Sequence, residues 1–295
     1  MGAGAVGCYF GAMLARGGHD VTLIARPRHV AVIKDAGLLL ETQSFQQYVR
    51  LGASSDPAAI RGAQCVLFCV KSTDTQDAAS QIAPYVADDA RALSLQNGVD
   101  NAQRAQILMA CPVMPAAVYV AAEMAGPGHV RHHGRGELVI GPDAHSQTLK
   151  AEFDKAGVPV KISENVTGAL WDKLIINCAY NALSAVTQLP YGRMVKGEGI
   201  ETVMQLAVNE AVAVAKAAQI QVSEGIWQQA RNIAQSMATQ SSSTAQDLAS
   251  GRPSEIDYLN GHIVREGARL GVETPVNETL LALVKTLEAK RDTRL

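Results

Sequence analysis

The sequence predicts a two-domain α/β protein, with an N-terminal doubly wound parallel sheet followed by an all-helical C-terminal domain. Three observations carry this: a glycine-rich turn opens the chain, short β-branched runs alternate with helical patterns as far as Ile162, and strand patterning stops from Glu164 onward. With 295 residues the chain can bury a separate core in each half. The hinge is expected near Ser163-Glu164-Asn165, which gives domains 1–163 and 164–295.

The opening turn reads Gly2-Ala3-Gly4-Ala5-Val6-Gly7 and runs straight into a helical pattern, Cys8 to Arg16, that Gly17-Gly18 ends. In a dinucleotide-binding (Rossmann-type) turn the first glycine permits the bend, the second lets backbone approach a pyrophosphate, and the third lets helix pack on strand. Gly2, Gly4, Ala5, Val6 and Gly7 are therefore candidate cofactor-binding residues at a helix N-terminus. GxGxxG is a weak signal alone and gains weight from Asp20-Val21-Thr22-Leu23-Ile24-Ala25, a strand that ends at Arg26. NAD-preferring folds place an acid there to hold the ribose hydroxyls. Arg26, with Arg28 behind it, suits a 2′-phosphate, so NADPH is expected over NADH, and a methyltransferase is disfavoured for the same reason. Such a fold also needs an apolar strand immediately before its first glycine, where only Met1 stands, so that strand is expected to lie upstream of Met1.

Candidate strands follow at 21–25, 65–70, 92–95, 116–121 and 137–140. The run Cys65-Val66-Leu67-Phe68-Cys69-Val70 is apolar without alternation, as in a strand covered on both faces, and is expected at the centre of the sheet. Helical patterns occupy 166–186, 200–218, 224–238, 255–270 and 276–289, punctuated by Ser241–Ser243 and Gly251-Arg252-Pro253.

Composition excludes several function classes. Lys plus Arg number 26 against 28 Asp plus Glu, with no long block of one sign, so neither nucleic acid nor an anionic membrane is an expected partner. The five cysteines are odd in number and lack paired CxxC spacing, which predicts reduced, buried thiols. No apolar run approaches the ~20 residues of a membrane span, and no basic segment followed by an apolar core opens the chain, so a soluble cytoplasmic protein is expected. His132 and His133 point to opposite sides of an extended chain and have no third ligand at a suitable spacing, so no metal is expected. Trp171 and Trp227 sit at helical spacing and read as packing residues.

The most informative stretch is Trp171 to Asn181, where Lys173, Asn177 and Asn181 recur at i, i+4 and i+8 in an otherwise apolar helix. At ~100° per residue the three share one face, so an ammonium and two carboxamides converge where core residues would otherwise sit. Polar groups placed there demand partners, which points to a wet cleft or a polar ligand.

Set beside Lys71 after the buried strand 65–70, Gln96-Asn97-Gly98 and Ser254-Glu255-Ile256-Asp257-Tyr258, these motifs make the chain resemble the ketopantoate reductases (2-dehydropantoate 2-reductases) over essentially its whole length. The resemblance implies a 6-phosphogluconate-dehydrogenase-like helical domain and hydride transfer from NADPH to the 2-oxo group of ketopantoate, on the route to pantothenate and coenzyme A. By position it implies that Lys173 is the catalytic lysine and Glu255 its acidic partner, and that Asn97 lies between nicotinamide and substrate. It further implies that Asn177, Asn181 and Ser243 bind the substrate's hydroxyl and carboxylate, and that Lys71 contacts the cofactor. The serine role could pass to another member of the Ser241–Ser243 tract, and Glu255 is expected in the first turn of a helix with Asp257 at a capping-box position. Two alternatives remain: a reductase of another 2-oxoacid on the same architecture, and a catalytically silent NADP(H)-binding sensor. The helical half has enough apolar surface to form a homodimer, but nothing in the sequence requires one.

Overall fold

The structure, a computed structural model, describes residues 1–292. The chain divides into two compact units, Met1–Val166 and Thr167–Leu295. The division falls just past residues 163–165.

In the first unit the elements run α1 (Ala5–Arg16), β1 (Thr22–Ile24), α2 (Pro27–Ala36), β2 (Leu38–Glu41), β3 (Gln46–Val49), β4 (Gly52–Ser54), β5 (Cys65–Phe68), α3 (Thr75–Ile82) and β6 (Arg91–Ser94). They continue with α4 (Asn101–Gln106), β7 (Val113–Gly126), β8 (His129–Ile140), α5 (Ser146–Lys155) and β9 (Val160–Ile162). β5, β6 and the start of β7 are parallel, as the crossover pattern requires. The sheet is mixed, however, because β7 turns back antiparallel into β8, and β2 pairs antiparallel with β3.

The hydrogen-bonded order is β3-β2-β8-β7-β6-β5 with β9 on β8, beside a separate parallel pair β1-β4. β5, expected at the centre, therefore ends this path. The backbone of Met1 and Gly2 lies between the two sheets: the Met1 amino nitrogen donates to the Leu67 carbonyl at 2.7 Å, Cys69 N–H donates to Met1 O at 2.8 Å, and Gly2 N–H donates to Ile24 O at 3.2 Å.

Two apolar layers form on this framework. Phe10 and Cys8 of α1 are fully buried with Leu38, Leu40, Leu138 and Val158, while Phe68 is buried with Ile82, Ala79 and Ala105 of α3 and α4. Each such large side chain contributes about 1.5–3 kcal/mol by leaving water. Cys8, Cys111 and Cys178 are buried free thiols, whereas Cys65 and Cys69 are half-buried. Burial pushes the Cys8 thiol up to about 12. His132 stacks on Tyr9 with ring centres 4.3 Å apart, and His133 turns to Glu123 at 3.2 Å.

The second unit is helical: α6 (Val166–Thr187), α7 (Tyr191–Met194), α8 (Ile200–Ala217), α9 (Ile226–Ser236), α10 (Ser243–Ala249), α11 (Asn260–Leu270) and α12 (Pro275–Asp292). α6, with 22 residues, is the longest helix among the described residues. Leu174, Ile175, Cys178, Ala179 and Tyr180 are buried on several of its sides, as an almost wholly apolar helix requires. The pattern expected over 255–270 is interrupted: Ile256–Tyr258 form a 3₁₀ turn, and Leu259, at φ −111° and ψ −103°, breaks the path before α11. No helix among the described residues is long and apolar enough to cross a membrane.

Candidate active site

The three glycines of the opening turn are distinct in what surrounds them. Gly2 has φ +93°, and a Cβ there would lie 2.7 Å from the Val70 nitrogen. A Cβ on Gly7 would collide with the Gly2 carbonyl oxygen, whereas nothing lies within 4 Å of the Cβ position of Gly4. The turn is thus closed beneath Gly2 and Gly7 and open above Gly4, where a pyrophosphate needs close backbone approach. Gly4 is the N-cap of α1 without a side-chain cap, and no acid occupies the first turn, so the Ala5 and Val6 amides are suited to an anion. Gly7→Ala is expected to weaken dinucleotide binding and lower the melting temperature, since the colliding group is backbone rather than a flexible side-chain end. Fluorescence titration with NADPH and a thermal melt check this; unchanged binding would remove the turn from the site.

β1 ends at Ile24, and Arg26 is the N-cap of α2, followed by Pro27 at the first helical position. Arg26 and Arg28 are both exposed, with no acid in the first turn of α2. His29 accepts a hydrogen bond from Gly128 N–H at 3.3 Å. Burial, followed by the charges of Arg28 and Arg26, pushes its pKa down and favours the neutral ring. Two cations stand at a helix N-terminus beside the strand end, a combination suited to a phosphate.

Lys71 and Asn97 follow β5 and β6 and are both half-buried at the carboxyl edge of the parallel strands, where ligands bind in doubly wound sheets. Beneath them lies a buried polar network that sequence reasoning missed. Ser94 Oγ donates to Gln96 Oε1 at 3.0 Å, and Gln96 Nε2 donates to Thr75 Oγ1 at 2.8 Å. Thr75 Oγ1 shares its proton between Asn101 Oδ1 at 2.9 Å and the Ser72 carbonyl at 3.1 Å. Arg104 Nη1 donates to Ser72 O at 3.0 Å and to Asn101 Oδ1 at 3.2 Å.

In the helical unit, α6 carries Lys173 and Asn177 half-buried and Asn181 buried, so the polar stripe runs inward along one face. Two neighbouring contacts fix the Lys173 turn: Asp172 accepts from Ser223 N–H at 2.9 Å and Ser223 Oγ at 2.6 Å, and Trp171 meets the His262 ring edge-on at 5.7 Å. Asn260 Nδ2 donates to Cys178 O at 3.2 Å and to Asn277 Oδ1 at 3.0 Å, tying the segment after Glu255 to α6 one residue past Asn177. Asn277 Nδ2 in turn reaches Glu210 at 2.7 Å and Ala207 O at 3.1 Å, a second network that periodicity did not reveal.

Glu255 is the half-buried N-cap of the 3₁₀ turn. Asp257 forms no capping box, because it pairs with Lys285 at 2.8 Å, while Ser254 Oγ accepts from Ile256 N–H at 3.2 Å. In the serine tract, Ser242 caps α10, donating to Asn181 O at 3.2 Å and accepting from Ala245 N–H at 3.0 Å, so its hydroxyl is committed. Ser243, adjacent, is exposed. The structure thus brings the tract to Asn181. Among the described residues no trio of His, Cys, Asp or Glu is arranged to hold a metal ion.

The two units match two family models in the same order: "Ketopantoate reductase PanE/ApbA" over residues 1–145 and "Ketopantoate reductase PanE/ApbA C terminal" over residues 165–288. The chain belongs to the ketopantoate reductase family. It is an oxidoreductase of that family, with a Rossmann-like N-terminal unit and a helical C-terminal one. Among ketopantoate reductase relatives, the 2-dehydropantoate 2-reductase of Halobacterium salinarum is 33% identical over 99% of this chain and 98% of its own. The crystal structure of a PanE/ApbA family ketopantoate reductase from Ralstonia eutropha JMP134 is 60% identical, with a TM-score of 0.97 over 99% of this chain and 98% of that one. A D-mandelate dehydrogenase, solved with NADH and anilino(oxo)acetate, shares the ketopantoate reductase fold at a TM-score of 0.93 and 24% identity, over 99% of this chain and 98% of that one.

Proposed function

We propose that the protein reduces 2-dehydropantoate (ketopantoate) to pantoate with NADPH, supplying pantoate for pantothenate and coenzyme A synthesis. Support for the cofactor comes from the glycine turn with open space above Gly4, and from Arg26 where an NAD-preferring protein would carry an acid. Gly2, Gly4, Ala5, Val6 and Gly7 hold the pyrophosphate, Arg26 the 2′-phosphate, and Lys71 and Asn97 the nicotinamide end. When bound, NADPH supplies the hydride.

Lys173 performs the polar half of the reaction. As C2 of the oxoacid accepts a hydride its carbonyl oxygen gains negative charge, which an ammonium held by a rigid helix stabilises and then protonates to the alcohol. Glu255 orients Lys173 and the substrate. Asn177, Asn181 and Ser243 take the substrate's carboxylate and hydroxyl, with Ser243 favoured in its tract because the Ser242 hydroxyl is already committed to Asn181 O and Ala245 N–H. The observation that carries this assignment is the polar stripe of α6, Lys173-Asn177-Asn181, in a helix whose other side chains, Asp172 and a few hydroxyls apart, are apolar.

Steady-state NADPH oxidation with ketopantoate, pyruvate and 2-oxoisovalerate tests the substrate. Ketopantoate is expected to lead in kcat/KM by about tenfold or more, the scale of discrimination available from a hydroxyl and two methyl groups. A lead by another acid would make the protein a reductase of that acid, and cofactor binding with no turnover on any would favour the sensor.

A further inference from the structure

We infer that Asn101 is a positioning residue for the reaction: its carboxamide locks the loop after β6, which carries Asn97, to the loop after β5, which carries Lys71. This rests on the placement of Asn97 at the nicotinamide end proposed above.

Asn101 is 2% exposed and opens α4, and all four of its hydrogen-bonding positions are used. Its Nδ2 donates to Ser72 Oγ at 3.1 Å and to the Asn97 carbonyl, while its Oδ1 accepts from Thr75 and Arg104. Ser72 Oγ also donates to the Asn97 carbonyl, at 2.9 Å. One backbone oxygen, that of Asn97, is therefore held by two side chains from different segments, Ser72 just after β5 and Asn101 at the start of α4. Gly98, at φ +92°, turns the chain sharply straight after it. Carbonyl and turn together fix the backbone from which the Asn97 carboxamide projects.

The network does more than fill space: apolar residues of similar volume would take these donors away from the backbone carbonyls of Ser72 and Asn97. What the polar network provides is one geometry. Its donors converge on the residue after Lys71 and on Asn97 itself, at the edge of the sheet where a ligand is expected. A displacement of about 1 Å at such a position costs on the order of a hundredfold in rate.

Asn101→Asp keeps the Thr75 and Arg104 side of the network and removes both donors toward Asn97 and Ser72, whereas Thr75→Val takes the Thr75 hydroxyl from the remote side and leaves Arg104 on Asn101 Oδ1 and the Asn97 side intact. Asn101→Asp is expected to lower kcat by about tenfold to a hundredfold with the KM for NADPH within about threefold, because the glycine turn and Arg26 are untouched. Thr75→Val is expected to lower kcat by less than about threefold, even where its melting temperature falls as far. Should Asn101→Asp not fold, Ser72→Ala takes its place, removing one of the two donors on the Asn97 carbonyl, with the same expected split between kcat and KM. Equal losses from the two sides of the network, or an unchanged kcat in the Asn97-side variants, would overturn the positioning role. Asn97→Ala is measured alongside: a lowered kcat there keeps the proposed site whatever Asn101 does, and an unchanged kcat removes Asn97 from the site and the positioning role with it.

Discussion

Lys173→Ala is expected to lower kcat by about a thousandfold or more, since it removes both a transition-state charge partner and a proton donor, each typically worth a hundredfold or above. NADPH affinity should remain, because the groups assigned to the cofactor lie in the first unit. The fold should also remain. Lys173 is half-buried, and its neighbours anchor the helix, Asp172 on Ser223 and Trp171 against His262. Lys173→Arg is expected to recover little, because a planar guanidinium places its donors differently from an ammonium and does not give up a proton. Single-turnover kinetics with saturating NADPH separate the chemical step from binding; near-normal turnover in Lys173→Ala would remove the residue from the mechanism.

Arg26→Ala is expected to erase the preference for NADPH over NADH, shifting the ratio of the two kcat/KM values by about tenfold to a hundredfold, the scale of one or two charge-assisted hydrogen bonds. The loss should fall on NADPH alone, because NADH has no 2′-phosphate to lose contact with. Arg28, also exposed in the first turn of α2, is expected to make the loss in Arg26→Ala smaller than in the double variant. An unchanged ratio in Arg26→Ala would assign the 2′-phosphate to other residues.

Local chemistry made some of this legible in the sequence. The glycine turn was readable because its steric demands are local: Gly2 needs a left-handed φ and Gly7 has no room for a side chain. α6 was readable because one polar face in an apolar helix is a periodic signal. The long β7–β8 hairpin was mostly missed, and expected as two short strands. Gly134 and Gly136, which look like turn residues, sit within β8 at φ +143° and +136°, where the pairing with β7 shifts register. β3 was also missed, since Gln46, Gln47 and Tyr48 are exposed on an edge and carry little apolar pattern. β5 was expected at the sheet centre from its apolar run, but an apolar run says nothing about which edges are paired, and one face of the strand, Cys65 and Leu67, is only half-buried.

The candidate site divides in the same way. Motif residues could be named from spacing, but the side chains that hold them could not. Asn101, Thr75 and Ser72 come together across loops, as do Asn260, Asn277 and Glu210 across helices, through contacts between residues distant in sequence. Within Ser241–Ser243, spacing shows neither the hydrogen bonds nor the burial that set Ser242 apart from its neighbours.

The most direct measurement is isotope transfer from NADPH carrying deuterium at the transferable position of its nicotinamide, incubated with the protein and ketopantoate, with the product examined by mass spectrometry and NMR. Pantoate carrying one deuterium at C2 is the expected product. Its absence while the protein holds NADPH, or pantoate formed without deuterium at C2, would contradict direct hydride transfer to the 2-oxo carbon.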